Sequence, residues 1–225
     1  MPLRDPASWR TAPWYAAAES ITKVVVGEGV TYIGDWAFGR LPNVTEIVYS
    51  STVERIDMTS SYDCPKLEKF TISGESVDGQ VYTVADDGKV LIENGELVRA
   101  AVRSITSYTA DDHITTIGMG AFDSPNLKQL DLNKVQVIQN YAFADCRDLK
   151  SVVIPEGVTT IEMTVFQGSG LESITIPQSV TRIGYAAFQY CKNLSSVVIP
   201  ENVTTISAEA FAGCSALRNK TCLGK

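Results

Sequence analysis

Few residue types in this chain could do chemistry, and their spacing says what kind. The lone histidine, His113, follows Asp111 and Asp112, a fragment of the set that binds zinc. A zinc site needs three or four such ligands, and one histidine rules out a two-histidine helical motif and makes a Ser-His-Asp triad improbable. No GxxxxGK[ST] phosphate loop occurs, Gly27-Glu28-Gly29 has no third glycine in place, and Ser169 is not framed as GxSxG. Asp86, Asp87, Glu93 and Glu96 have the oxygens for calcium. They stand beside Asp87-Gly88 and Asn94-Gly95, two hairpin-turn signals, and read as turn residues. The sequons at Asn43, Asn193 and Asn202 matter only in a glycosylating host. The chain is expected to be no enzyme, with no cofactor and no metal.

The five cysteines lead to the elements that position them. Cys146, Cys191 and Cys214 each stand three residues after a phenylalanine, Phe143, Phe188 and Phe211. Cys64 fits the same slot in a degenerate copy, and Cys222 lies off-register. An odd total in shared positions argues for buried small hydrophobes rather than a disulfide framework, although a Cys214–Cys222 bridge is conceivable. The shared position belongs to a larger repeat. LKSVVIPEGVTTI starts at Leu149, LESITIPQSVTRI at Leu171 and LSSVVIPENVTTI at Leu194, in steps of 22 and 23 residues. Each continues to a phenylalanine, Phe166, Phe188 or Phe211. Weaker copies run through Ile21–Phe38, Val44–Ile56, Leu67–Ile72, a copy restarting at Ile105, and Leu127–Phe143, about eight units in all.

The first, fourth and sixth positions of each unit (Leu149, Val152, Ile154) have the spacing of a strand that buries alternate side chains. Pro155, Pro177 and Pro200 end that strand, because proline donates no amide to the ladder. A second short extended piece follows (158–161 in this copy). The Ala-Phe segment then reads as a short helical turn whose phenylalanine fills the space between layers. Such a coil cannot bury its own apolar side, but stacked coils bury a continuous core. The expected architecture is an α/β solenoid, a right-handed coil with parallel strands and short helical turns. Residues 1–20 read as an N-terminal cap, 21–216 as the solenoid, and 217–225 as a C-terminal cap. A small β-hairpin insertion is expected over about 75–104, where the interval from Leu67 to Ile105 runs to 38 residues.

An apolar share of 44% is that of a folded chain, which argues against disorder. A net charge of −7 with no basic run argues against nucleic acid as a partner. No apolar run approaches the ~18 residues of a spanning helix, so no membrane insertion is expected, and MPLRDPASWRTAPWY has no signal-peptide core.

What remains is surface. Stacked first strands present outward rows side by side, the usual concave binding face of a solenoid. Here those rows are Thr71, Asp131, Val153, Thr175 and Val198, flanked by Gln129, Ser151, Ser173 and Ser196. These nine are the candidate binding residues, and good strand formers would occupy the same places without any ligand. Tyr32, Trp36, Tyr141, Tyr185 and Tyr190 form a second candidate patch.

The unit resembles the BspA-like leucine-rich repeat family, whose pattern looks like LxxIxIPxxVTxIGxxAFxxC. Ile117-Gly118 with Ala121-Phe122, and Ile183-Gly184 with Ala187-Phe188, carry its IG…AF phrase. The unit at 53–64 lacks Ala-Phe, and Val165-Phe166 replaces it in another. The resemblance implies a protein-binding module of a bacterial cell-surface or secreted protein, adhering to a host or matrix protein. The signal or anchor would lie outside this chain, and a monomer is expected. A carbohydrate-binding accessory module or a structural spacer are the other readings.

Overall fold

The computed structural model describes residues 13–74, 81–101, 104–122 and 124–222, with only the backbone described from residue 219 onward. They form two compact units, one running to Asn94 and including Ala101 and Ser104, the other built from Gly95–Ala100 and the residues from Ile105 onward. Both are made of solenoid coils with parallel strands, about eight turns in all.

In the first unit the strands are β1 (Lys23–Val25), β2 (Tyr32–Ile33), β3 (Glu46–Ser50), β4 (Arg55–Ile56), β5 (Lys69–Ser73), β6 (Tyr82–Ala85) and β7 (Val90–Glu93). First strands stack as β1-β3-β5 and second strands as β2-β4, all parallel. The register steps 23 residues, Val24 against Ile47 against Phe70, which is the period of the sequence. A 3₁₀ helix, Tyr15–Ser20, precedes the first coil. Trp14 stands beside it, its indole N–H donating to the Ala37 carbonyl (3.1 Å) and its ring 6.2 Å from Phe38. The rest of the expected N-terminal cap, residues 1–12, lies outside the described residues.

The second unit contains β8 (Glu96–Ala100), β9 (Ser107–Thr109), β10 (Thr116–Ile117), β11 (Gln129–Asp131), β12 (Val137–Ile138), β13 (Thr160–Ile161), β14 (Ser173–Thr175), β15 (Arg182–Ile183), β16 (Ser196–Ile199), β17 (Thr205–Ile206) and β18 (Asn219–Cys222). First strands pair as β9-β11 and β14-β16-β18, with a bridge between Asp131 and Val153. Second strands pair as β8-β10-β12 and β13-β15-β17. In the expected C-terminal cap, Asn219–Cys222 aligns residue for residue with Ser196–Ile199. Cys222 is therefore in register after all: it stands opposite Ile199, at the sixth position of a further coil.

The hairpin expected inside 75–104 forms from β6 and β7, antiparallel, with Val84 opposite Leu91. Asp86, Asp87 and Gly88 in the turn between them have positive φ, as do Asn94 and Gly95. The flanking segments 75–80 and 102–103 lie outside the described residues. Tyr82 fastens the hairpin to the first unit: its buried hydroxyl accepts the Ile56 amide (2.8 Å), and burial pushes its pKa up to about 12.

The expectation of short helical turns, and with it the α/β class, is corrected here. Among the described residues the 3₁₀ helix before the first coil is the one helix, and the Ala-Phe segments are chains of tight turns. The cause is a pair of left-handed residues, two before and two after the phenylalanine in the turns of Phe38, Phe143, Phe166, Phe188 and Phe211. Around Phe143 they are Tyr141 and Asp145, around Phe188 Ala186 and Tyr190, around Phe38 Trp36 and Arg40, all with φ between +53 and +60. No right-handed helix accepts such residues, and each costs about 1–2 kcal/mol. The alternation turns every second amide along the stack. The Tyr141, Phe143 and Asp145 amides donate to Met163, Val165 and Gln167 of the next coil, at 3.2, 2.9 and 2.7 Å. In a helix the same amides would face their own carbonyls. Neighbouring coils are thus hydrogen-bonded through their turns as well as their strands.

The core of the second unit is a column of rings. Tyr108, Phe122, Phe143, Phe166, Phe188 and Phe211 follow one another with centroids 5.2–5.5 Å apart, and from Phe143 onward the rings lie within 13° of parallel. Phe122 through Phe188 are completely buried. The in-phase cysteines cap the same turns. The thiols of Cys146, Cys191 and Cys214 stand 3.0–3.1 Å from the carbonyls of Phe122, Phe166 and Phe188 in the preceding coil, and Cys64 makes the same contact with Phe38. All four are buried and unbridged. The position favours a residue small enough for the core that still carries a donor, which is why Ser169, three residues after Phe166, also occupies it.

Candidate functional site

Burial decides first where the nine candidate residues point. In β14 the pattern is exposed, buried, exposed, so Ser173 and Thr175 face outward while Ile174 enters the core. β11 repeats this with Gln129 and Asp131, and β9 with Ser107 and Thr109. Parallel pairing then aligns like with like: Ser173 with Ser196, Thr175 with Val198, Gln129 with Ser107, Asp131 with Thr109. Ser151 is exposed, and Val153 is 78% exposed despite being aliphatic. Eight of the nine candidates therefore share one strand face of the second unit. Thr71 belongs to the first unit, where its hydroxyl is already committed to Glu46 (2.9 Å). Asp131 is partly committed too, accepting the Asn133 amide (2.9 Å).

Ser107 and Thr109 complete this face and were missed. Their copy restarts after the hairpin, and the repeat ruler applied from Ile105 would have placed both in the outward rows. The first unit presents different chemistry from the same positions. Lys23, Glu46 and Lys69 stand in register, and Glu46 bridges both lysines at 2.9 and 3.3 Å. The hydrogen bond from Lys23 holds the Glu46 carboxyl down at about 2, with Thr71 and Lys69 acting in the same direction against partial burial.

The second candidate patch divides between the units. In the first unit its aromatics are tied into intercoil contacts. Tyr32 donates to Asp57 (2.5 Å) under the Arg55 guanidinium, and Trp36 meets the edge of Tyr62 at 5.2 Å with Arg40 above it. In the second unit Tyr141, Tyr185 and Tyr190 are 42–54% exposed. The carboxylate of Glu209, hydrogen-bonded to Tyr185, holds that hydroxyl above its usual range.

His113 is exposed in a turn, its amide donating to Asp111 (3.1 Å), and Asp112 is paired with Lys134. Among the described residues no three His, Cys, Asp or Glu side chains converge as a metal set. No described helix is long and apolar enough to cross a membrane.

This geometry defines a repeat scaffold with an open strand face. The chain belongs to the BspA type leucine rich repeat family, whose model matches residues 14–83 and 115–223 in six copies. The fold is similar to that of a leucine rich cell surface protein from Faecalibacterium prausnitzii A2-165, with a TM-score of 0.76 and 27% identity. That match covers 92% of this chain and 61% of that one, so the chain spans less than two thirds of that relative. The pneumococcal vaccine antigen PcpA shares the fold at a TM-score of 0.73 and 18% identity, over 92% of this chain and 57% of that one. So does a leucine-rich repeat protein from Eubacterium ventriosum ATCC 27560, at 0.67 and 19%, over 97% and 77%. No curated protein matches the chain in sequence. Repeat scaffolds of this kind serve as binding surfaces rather than catalysts.

Proposed function

We propose that the chain is a non-enzymatic protein-binding module of a bacterial cell-surface or secreted protein, and that it adheres to a host or matrix protein through the strand face of its second unit. The observation that carries this reading is the face itself. Ser107, Gln129, Ser151, Ser173 and Ser196 flank Thr109, Asp131, Val153, Thr175 and Val198 across successive coils, almost without charge. Small hydroxyls each carry a donor and an acceptor, so they satisfy a partner's polar atoms without fixing its charge. The likeness to a cell surface protein supports the location.

The test is capture of extracellular matrix and serum proteins by the immobilised chain, at low and at physiological salt. A saturable partner is expected that survives physiological salt and is lost by Thr175→Lys with Val198→Lys. Binding untouched by that double variant would refute the assignment of the face, and hydrolase or transferase activity in the purified chain would refute the non-enzymatic reading.

A further inference from the structure

The unit that starts at Leu149 is one residue shorter than the one that starts at Leu171, 22 against 23. The structure locates the missing residue in the corner after Phe166. Cys146-Arg147-Asp148 and Cys191-Lys192-Asn193 turn that corner in the neighbouring coils, and Ser169-Gly170 turns it here. The short corner lies deeper than its neighbours: Ser169 and Gly170 are buried, whereas Arg147, Asp148, Lys192 and Asn193 are exposed. A Cβ on Gly170 would overlap the Arg147 carbonyl, so only glycine allows the coils to close at this point. Gly168 takes the left-handed place that Asp145 and Tyr190 occupy in the flanking coils, but contributes no side chain. The result is an open cleft of about 880 Å³, lined by Asp145, Arg147, Gln167, Tyr190, Lys192 and Asn193 around the bare Gly168–Gly170 floor.

We propose that this notch is a subsite for one neutral sugar residue of a glycan, a site separate from the strand face. The lining argues the ligand class by elimination. An anion drawn by Arg147 and Lys192 would meet the Asp145 carboxylate, and a cation drawn by Asp145 would meet two positive groups. An apolar ligand would strip water from three charged side chains and return nothing. A neutral polyol needs donors and acceptors close together, and the notch has both: guanidinium and ammonium donors, a carboxylate acceptor, the Asn193 amide, and Gln167, whose amide nitrogen already donates to Gln189 (2.6 Å). The side chains of Arg147 and Asp145 meet through a 3.4 Å contact between groups 72% and 64% exposed, so both side chains face solvent where a ligand would sit. Tyr190, 54% exposed, supplies the aromatic wall on which the C–H face of a pyranose rests. Its ring leans over Gly213, where any side chain would displace it. The volume lies within the roughly 300–1,000 Å³ of small-ligand sites.

The experiment is an NMR titration of the ¹⁵N-labelled chain with methyl glycosides of glucose, galactose, mannose and N-acetylglucosamine, with sodium sulfate and sodium glucuronate as separate arms. Tyr190→Ala removes the exposed wall. Gly168→Asn fills the floor while keeping a residue that tolerates positive φ. At least one neutral glycoside is expected to give saturable shifts centred on Gly168, Gly170, Tyr190 and Asn193. Tyr190→Ala should weaken that binding about tenfold, and Gly168→Asn should abolish it. Three results would overturn the proposal: no saturable shift with any glycoside, shifts that both variants leave unchanged, or tighter binding of sulfate or glucuronate than of every neutral sugar. Capture of a matrix protein by the strand face is a different readout, so the two proposals fail separately.

Discussion

The two units apply the same coil to different ends. In the second unit the ring column runs unbroken from Tyr108, in β9, to Phe211, and from Phe122 onward one ring from each turn stacks on the next. In the first unit the coil at 53–64 has no phenylalanine in its turn, and Ser60 and Ser61 are buried there instead. Its aromatic volume comes from the strands: Tyr49 in β3 and Phe70 in β5, 6.2 Å apart, with Phe38 6.4 Å from Tyr49. The outward rows diverge in parallel with the cores. The first unit ties Lys23, Glu46, Lys69 and Thr71 to one another, whereas the second leaves serine, threonine and valine exposed. The lesson is confined to the first-strand rows: the regular unit leaves its outward groups there largely open, while the irregular unit ties them to one another.

The largest effect should come from breaking the column. Phe166→Ala removes a completely buried ring with neighbours on both sides, at 5.5 and 5.4 Å. A loss of about 3–5 kcal/mol is expected in denaturant unfolding. Because stability in stacked repeats is shared between nearest neighbours, hydrogen exchange should rise first in the coils either side of it. Exchange rising evenly through both units would show that the column is not the local unit of stability.

Tyr82→Phe sharpens the other half of the comparison, since the first unit relies on side-chain ties. It leaves the Ile56 amide without its acceptor. The expected cost is about 1–3 kcal/mol, appearing as faster exchange at Ile56 and in the β6–β7 hairpin. The smallest effect is the Glu46 clasp. Its folded pKa, about 2, lies below the ordinary 4.5, so the clasp stabilises fully above pH 4.5 and is lost as pH falls toward 2. Glu46→Gln should cost about 1 kcal/mol at pH 7, and the difference from the parent chain should close between pH 4.5 and 2. A difference that persisted at pH 2 would show that Glu46 acts through packing and not through its charge.

The coil period, the strands with their inward positions, the hairpin turns and the buried cysteine slot were all legible in the sequence, because each rests on apolar spacing or on Asp-Gly and Asn-Gly chemistry. The turns were not. Tyr141 and Ala186 carry no sign of positive φ in their residue type, and hydrogen bonding to the next coil explains why they adopt it. The strand inside the expected C-terminal cap was not legible, because its polar composition masked a spacing, Leu217 to Lys220 to Cys222, that matches the strand pattern. On the face, alternation anticipated the exposure of Gln129, Asp131, Ser151, Val153, Ser173, Thr175 and Ser196, while Thr71 and Val198 are half-buried. That Thr71 is held by Glu46 depends on a partner 25 positions away, which no local pattern reveals. The one-residue step between copies was visible as a number, and its meaning as a notch depended on where the chain absorbed it.

The most direct test of the central claim sets the two faces against each other. Thr175→Lys with Val198→Lys alters the open face, and Val25→Lys alters the equivalent row of the clasped one, where Val25 is 65% exposed. Binding of each variant to the captured partner would be measured by surface plasmon resonance, with unfolding midpoints confirming that each remains folded. Loss of binding only in the Thr175/Val198 variant is the predicted result, and equal loss from Val25→Lys, or from neither, would contradict the account.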